Sequence, residues 1–156
     1  MVSVEWCVKQ KSGLELVEPN ENVAKSYLGM AEESIGELNI VVSKLWQASI
    51  TYYTFYYSLY ALMQRIGVKC EIHSCSLLFM EKFLSEFFSK EDVRLVKRAF
   101  QMRINLQYYA NRPVDVDELE QLKKEVRDFY LKSKDVMSRL KEDDIEKVRE
   151  GLKKLL

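Results

Sequence analysis

The chain has 156 residues, of which 47% are hydrophobic, and its 24 Lys and Arg residues equal its 24 Asp and Glu residues in number. This is the composition of one globular domain, and its neutrality excludes a polyanion-binding surface spread over the whole protein, so any such site is local. No apolar run reaches the roughly 18 to 20 residues of a membrane span. The first residues, MVSVEWCVKQKSG, lack a basic region followed by a long apolar run. We therefore expect a cytoplasmic protein that does not enter a membrane.

The content of turn-forming residues indicates the fold class. Only 5 Gly and 2 Pro residues are present, too few for many short strands and tight turns. We therefore expect an all-α protein in which residues 20–156 form one helical bundle and residues 1–19 form an N-terminal extension packed on it. The sequence of the extension does not show whether it forms a short helix or an extended strand. Its apolar residues that can contact the bundle are Trp6, Val8, Leu14, Leu16 and Val17.

The first two helices are predicted from apolar spacing. Asn20 is a candidate N-cap for the first helix. Apolar residues then recur at alternating steps of four and three, which is the period of one helix face. They are Ala24, Leu28, Ala31, Ile35, Leu38, Val42 and Leu45. Gly36 weakens the pattern, so we place a break between about Asn39 and Lys44. The second helix begins near Leu45 and ends at Gly67.

Hydroxyl residues mark the start of the third and fourth helices. Ser74 or Ser76 is the expected cap of the third helix. Ser89, followed by two acidic residues, is the expected cap of the fourth. The fourth helix is predicted to end at about Asn111, because Pro113 disfavours helical geometry in the residue before it.

The last part of the chain predicts a fifth helix and a C-terminal continuation. Asp115 or Asp117 is the expected cap. The apolar seam comprises Leu119, Leu122, Val126, Phe129, Val136 and Leu140, and resumes after the acidic EDD segment at Ile145, Val148, Leu152 and Leu155. Short links between long antiparallel helices predict an up-and-down bundle of four to five helices with a C-terminal helix.

The cysteines and the single histidine do not form a recognisable metal site. Cys7, Cys70 and Cys75 are odd in number and match no common zinc spacing, so we expect reduced structural thiols. His73 lies between two of them, but two thiols and one imidazole are short of the usual four zinc ligands. We expect neither a metal nor a cofactor.

The fourth helix carries an arginine at the edge of its apolar face. Val93, Val96, Phe100 and Ile104 define the buried face of that helix. Arg103 and Gln107 project along the edge of this face rather than into water. A guanidinium cannot lose its charge, so Arg103 must meet anions or several acceptors. Either a phosphate or a buried ion pair with a carboxylate such as Glu37 fits this requirement.

The opposite face of the fourth helix is basic and aromatic. We call it the basic strip, made of Arg94, Lys97, Arg98, Asn105, Tyr108, Tyr109 and Arg112. Such a strip can hold the phosphates of a nucleic acid. It can also be an ordinary solvated face whose charges pair with the acidic fifth helix or with the Glu-rich first helix. Likewise, the tyrosines of the second helix fit either a core with hydroxyls at its rim or a platform for stacking bases.

The segment ITYYTFYYSLYALMQRIGVKCEIHS, taken together with MRINLQYYANRPVD, resembles the HEPN domain family, specifically its small stand-alone prokaryotic members. Three features carry the resemblance. One is the tyrosine-rich second helix, and another is the Gly67–His73 link with a serine directly behind it. The third is Arg103, followed five residues later by Tyr108, where active members have histidine. The resemblance covers roughly residues 20–140.

The resemblance implies an activity and partners. Family members are helical bundles that dimerise so that two arginine-histidine motifs meet in a cleft. Active members are metal-independent ribonucleases, and many are toxins paired with a small nucleotidyltransferase antitoxin. By this resemblance Arg103 would hold the scissile phosphate, and Asn105 matches a polar position of the motif.

Tyr108 replaces the histidine of the motif and weakens the ribonuclease prediction. A group with a pKa near 10 is a poor proton shuttle at neutral pH, and positioned proton transfer is worth about 10²- to 10⁴-fold. His73 is expected at the far end of the third helix, away from Arg103. We therefore expect a homodimer that binds RNA, a nucleotide or a nucleotidyltransferase partner in a cleft lined by Arg103 and Tyr108, with weak or no nuclease activity. An active ribonuclease toxin and a non-enzymatic assembly protein are the alternatives.

Overall fold

The computed structural model describes residues 2–156, and these residues confirm the predicted all-α bundle. Within them the chain forms seven helices and one two-stranded sheet. In chain order the elements are α1 (Val4–Cys7), β1 (Glu15–Leu16), α2 (Glu21–Leu38), α3 (Lys44–Ile66), β2 (Val68–Lys69), α4 (His73–Phe83), α5 (Lys90–Tyr108), α6 (Val116–Arg139) and α7 (Glu142–Lys153).

The helix α3 is the centre of the bundle and packs against α2, α5 and α6. Most of its length is buried, and Tyr52, Phe55, Leu59, Leu62 and Ile66 are all 0% exposed. Such a helix is apolar around most of its circumference because every side meets another helix. The buried part of α3 therefore contacts α2, α5 and α6, so residues distant in sequence can meet on it.

The predicted start of each long helix is confirmed except for α4. The side chain of Asn20 accepts a hydrogen bond from the backbone N–H of Val23 at 3.0 Å, Ser89 and Asp92 form a capping box, and Asp115 caps α6. The prediction that Ser74 or Ser76 caps the third helix is wrong. That helix begins at His73 after the extended residue Ile72, which provides no side-chain cap.

The predicted end of the fourth helix is also corrected. The helix α5 ends at Tyr108 rather than near Asn111. The helix ends about three residues earlier than predicted, and the chain then turns, with the backbone N–H of Arg112 donating to the carbonyl of Tyr109 at 2.9 Å. The guanidinium of Arg112 lies 3.9 Å from the centre of the Tyr109 ring, which holds this turn against the helix end.

The N-terminal extension is tied to the bundle by a disulfide. The prediction of reduced thiols is wrong for two of the three cysteines, because Cys7 in α1 is bonded to Cys75 in α4, with the two Cα atoms 5.7 Å apart. Cys70 remains a buried thiol. The extension also pairs through β1, which is antiparallel to β2 with Leu16 opposite Val68.

Arg149 of the last helix binds backbone carbonyls at the C-terminal end of α3. Gly67 has a φ of +88°, the left-handed conformation that favours glycine after a helix. Nη1 of Arg149 in α7 donates to the carbonyls of Val17, Ile66 and Gly67 at 2.8, 3.2 and 2.9 Å. One guanidinium therefore satisfies carbonyls from the N-terminal extension and from the end of α3.

None of the helices in residues 2–156 combines the length and the apolar character needed to cross a membrane.

Candidate functional site

Arg103 lies on an aromatic surface of α3. The central carbon of its guanidinium is 5.2 Å from the ring centres of both Tyr52 and Tyr53, and its Nε donates to Oε1 of Gln107 at 3.2 Å. None of the ion pairs within residues 2–156 includes Arg103, so the alternative pairing with Glu37 is not formed. Its charge is held by ring faces and one amide, which leaves the terminal nitrogens available to an anion.

His73 lies beside this arginine, and the expectation that it is remote is wrong. Its Nδ1 is 2.7 Å from the hydroxyl of Tyr52. The guanidinium of Arg103 lies over the ring of the same tyrosine. The ring of His73 also stacks on Tyr56, with centres 4.2 Å apart and planes 2° from parallel. The structure therefore joins α3, α4 and α5 in one site, which we call the Arg103–His73 site.

The path of the chain explains why His73 lies beside Tyr52 and Tyr56 of α3. Ten residues of helix, about 15 Å, separate Tyr56 from the end of α3. The link of residues 67–72 contains β2 and runs back as extended chain, which covers about 3.3 Å per residue. Six such residues are long enough to bring His73 back to Tyr56 and Tyr52.

Burial and Arg103 set the charge of this site. The pKa of His73 is lowered, first by burial of the ring and second by the positive charge of Arg103. Burial raises the pKa of Tyr52 and that of Tyr56 far above the ordinary value for tyrosine. At neutral pH the imidazole and both phenols are therefore uncharged. Arg103 remains as a single fixed positive charge, and this arrangement favours one bound anion.

Three cations of the basic strip line a groove along α5, and each of them is paired with an acid. Arg94 pairs with Glu91 at 3.5 Å, Lys97 with Glu81 at 2.8 Å and Arg98 with Glu118 at 3.0 Å. Together with Phe88, Val93 and Lys90, the three cations line a groove of about 830 Å³. The structure thus brings Arg94, Lys97 and Arg98 together. Pairing with acidic neighbours, expected for an ordinary solvated face, occurs here as well.

The remaining strip residues lie at the end of α5. Asn105 accepts hydrogen bonds from Gln101 at 2.9 Å and from Arg112 at 2.7 Å. Tyr109 stacks with Arg112, and Tyr108 is 66% exposed. Five helical residues correspond to about 140° of rotation, so Tyr108 and Arg103 point to different sides of α5. Arg103 is therefore accompanied by His73 rather than by Tyr108.

No protein-family model, no curated protein and no solved structure matches this chain. Within residues 2–156, no group of three or more His, Cys, Asp or Glu side chains could hold a metal ion.

Proposed function

We propose that this chain is a HEPN-type bundle that binds a phosphate of RNA or of a nucleotide at Arg103. One observation carries the proposal: the guanidinium lies over the rings of Tyr52 and Tyr53, and no carboxylate of residues 2–156 forms an ion pair with it. An arginine that serves the fold alone pairs with an acid or with several carbonyls, as Arg149 does.

The chemistry of the site fits a phosphate better than a carboxylate side chain. The guanidinium fork binds phosphate oxygens in pairs. Tyr52 and Tyr56 are buried, and the partly exposed Tyr53 is the ring beside Arg103 on which a base, which is flat and polarizable, can stack. The charge of the neighbouring His73 is suppressed by burial, so the site offers one strong anion contact within an aromatic surface. This combination is typical of sites for single-stranded nucleic acid and nucleotides.

The basic groove supports an extended ligand. The pairs of Arg94 and Lys97 lie at the surface, where such pairs stabilise a protein by roughly 0 to 1 kcal/mol, and the pair of Arg98 with Glu118 is part-buried. Phosphates can therefore replace the carboxylates of Glu81 and Glu91 at small cost. We propose that Arg94, Lys97 and Arg98 contact the backbone of an RNA strand, and that Asn105, Tyr109 and Arg112 contribute at the end of α5.

A ribonuclease is the second candidate, and the position of His73 favours it. Tyr108 occupies the motif position and would transfer protons poorly, which supports weak or absent activity. His73, however, is uncharged at neutral pH and separated from Arg103 by only one tyrosine. A neutral imidazole next to a phosphate-binding guanidinium can accept a proton from a ribose hydroxyl.

Arg103→Ala is expected to weaken binding of a labelled single-stranded RNA by roughly ten- to a hundredfold, the value of a charge-assisted contact of about 1.5 to 3 kcal/mol. Fluorescence anisotropy at several salt concentrations measures this, and wild-type affinity should fall steeply with salt. Arg139→Ala is the matched control, because Arg139 is an exposed arginine of α6 paired with Asp135. Equal affinity of wild type and Arg103→Ala would contradict the proposal.

The same samples separate the two candidates. Cleavage to 2′,3′-cyclic phosphate ends by the wild type, lost in both Arg103→Ala and His73→Gln, identifies a ribonuclease. RNA that is bound and stays intact identifies a binding module. Folding of each variant is checked by circular dichroism.

We also propose that a second copy of the chain covers one apolar end of the bundle. Ile40, Val42 and Trp46 are 72%, 86% and 60% exposed, and all belong to the link between α2 and α3 or to the first turn of α3. The buried amide of Gln47 fixes this link by donating to the carbonyls of Val41 and Val42 at 2.7 and 3.3 Å. A fixed apolar surface with an exposed tryptophan is typical of a protein interface.

The charges at this end are compatible with pairing of two identical surfaces. The antiparallel helices place the 109–115 link at the same end as the 39–43 link. Lys44 therefore lies at the end that also carries Asp115 and Asp117, all three exposed. A surface that contains both signs can pair with itself across a two-fold axis. A nucleotidyltransferase-domain protein remains the proposed second partner.

Trp46→Ser is expected to shift the protein from dimer to monomer, because truncating a central interface tryptophan typically costs 2 kcal/mol or more. Light scattering coupled to gel filtration measures the mass. Leu131→Ser is the control, since Leu131 is 59% exposed and lies on α6. A wild-type protein that is monomeric at micromolar concentration would contradict this proposal.

We also propose a cytoplasmic location. The disulfide limits the kinds of cell in which this location is consistent with the structure. Disulfides are rare in most reducing cytosols but occur inside cells of hyperthermophiles. The Cys7–Cys75 bond fits a cytoplasmic location only in such a setting.

A further inference from the structure

A second cavity adjoins the Arg103–His73 site. It has a volume of about 280 Å³ and is lined by Val2, Ser74, Leu77, Leu78, Lys97 and Phe100. Phe100 belongs to both places, because its ring centre lies 5.2 Å from that of Tyr52 and 6.2 Å from that of His73. Ser74 follows His73 directly in the chain. The cavity and the Arg103–His73 site thus share the Phe100 ring as a common wall.

We propose that this cavity receives the base of the nucleotide whose phosphate is bound by Arg103. The inference rests on the proposed function and specifies its ligand. Phe100 and Arg103 are three residues apart on α5, so they are neighbours on the helix surface with Cβ atoms about 5 to 6 Å apart. This separation suits the phosphate and the base of one nucleotide.

The lining of the cavity fits a flat heteroaromatic ring. Phe100 offers an aromatic wall on which a base can stack, and Leu77 and Leu78 offer aliphatic surface. Ser74 also lines the cavity, and its hydroxyl can donate to or accept from a base edge. Apolar walls with a few polar groups are the usual composition of a small-molecule site.

The size of the cavity limits what it can hold. Pockets for drug-sized ligands measure about 300 to 1,000 Å³, and this cavity, at about 280 Å³, lies just below that range. A single base fits such a space, and the sugar and phosphate remain outside it near His73 and Arg103. The ligand is therefore a nucleotide unit recognised through its base, rather than any phosphate ester.

Titration calorimetry with 5′-AMP, 5′-UMP and ribose 5-phosphate tests the inference on the full chain. Wild-type protein is expected to bind at least one of the two nucleotides roughly tenfold or more tightly than ribose 5-phosphate, since stacking of a base contributes about 1 to 3 kcal/mol. Phe100→Leu keeps the bulk and removes the aromatic face, and Leu78→Gln places an amide in the cavity without touching Arg103. Both variants should bind that nucleotide no better than ribose 5-phosphate.

Three outcomes would overturn the inference, and they are distinguishable. If all three compounds bind equally and Arg103→Ala weakens binding of all of them, phosphate binding at Arg103 is supported and base binding in the cavity is contradicted. If a nucleotide preference survives in both Phe100→Leu and Leu78→Gln, the base lies elsewhere. If none binds, the proposed function and the base cavity fail together. Leu131→Gln is the control for introducing an amide at a leucine and should match wild type.

Discussion

Replacing both Cys7 and Cys75 with serine is expected to lower the free energy of unfolding by about 4 kcal/mol. The disulfide joins residues 68 positions apart, so its loss frees a long loop in the unfolded chain. It also releases α1 from α4, although both sulfurs are fully buried. Urea unfolding followed by circular dichroism measures the change, and wild type in reductant should behave like the double variant.

Cys70→Ser provides the control for the disulfide experiment. Cys70 is a buried thiol whose sulfur donates to the carbonyl of Ile72 at 3.3 Å, a bond that a serine hydroxyl can replace. This variant keeps the disulfide and should unfold close to wild type. If reductant leaves the midpoint of wild-type unfolding unchanged, the stabilising role assigned to the bond is wrong.

Phe55→Ala is expected to lower the free energy of unfolding by about 3 to 5 kcal/mol. Phe55 is 0% exposed, and its ring centre is 5.0 Å from that of Phe129 in α6. Phe129 in turn stacks at 5.3 Å on Phe88, which lies just before α5. Truncation removes the ring that packs α3 against Phe129 and leaves a cavity between α3, α6 and the link before α5.

A surface leucine serves as the comparison for Phe55. Leu131→Ala removes an apolar side chain that is 59% exposed on α6, so it should change stability by less than about 0.5 kcal/mol. Chemical unfolding at one pH gives both values. A loss below about 1 kcal/mol for Phe55→Ala would show that the bundle collapses into the cavity without cost.

Local sequence signals predicted the helices because each signal acts within one or two turns. The caps at Asn20 and Ser89 and the left-handed Gly67 depend on neighbouring residues alone, and the structure has all three. The start of α4 depends instead on where the return link from α3 runs. Two candidate serine caps were therefore misleading, and the helix begins at His73.

The candidate site was predicted in part. Arg103 could be identified because it interrupts an apolar face, a pattern within one helix. Its partners could not be identified in this way, because Tyr52 and His73 reach it from two other helices. The disulfide shares this difficulty: an odd number of cysteines does not indicate which two approach each other, and only the packing of α1 on α4 decides it.

The three carbonyls bound by Arg149 connect the two ends of the chain. Val17 belongs to the N-terminal extension and Arg149 to the last helix, and both meet at the end of the central helix. Detachment of either terminal segment therefore breaks hydrogen bonds between Arg149 and these carbonyls. Fraying from the termini, common in helical bundles, is thereby opposed. Amide hydrogens of α7 and of the β1–β2 pair should consequently exchange together, as one cooperative unit with the core of α3.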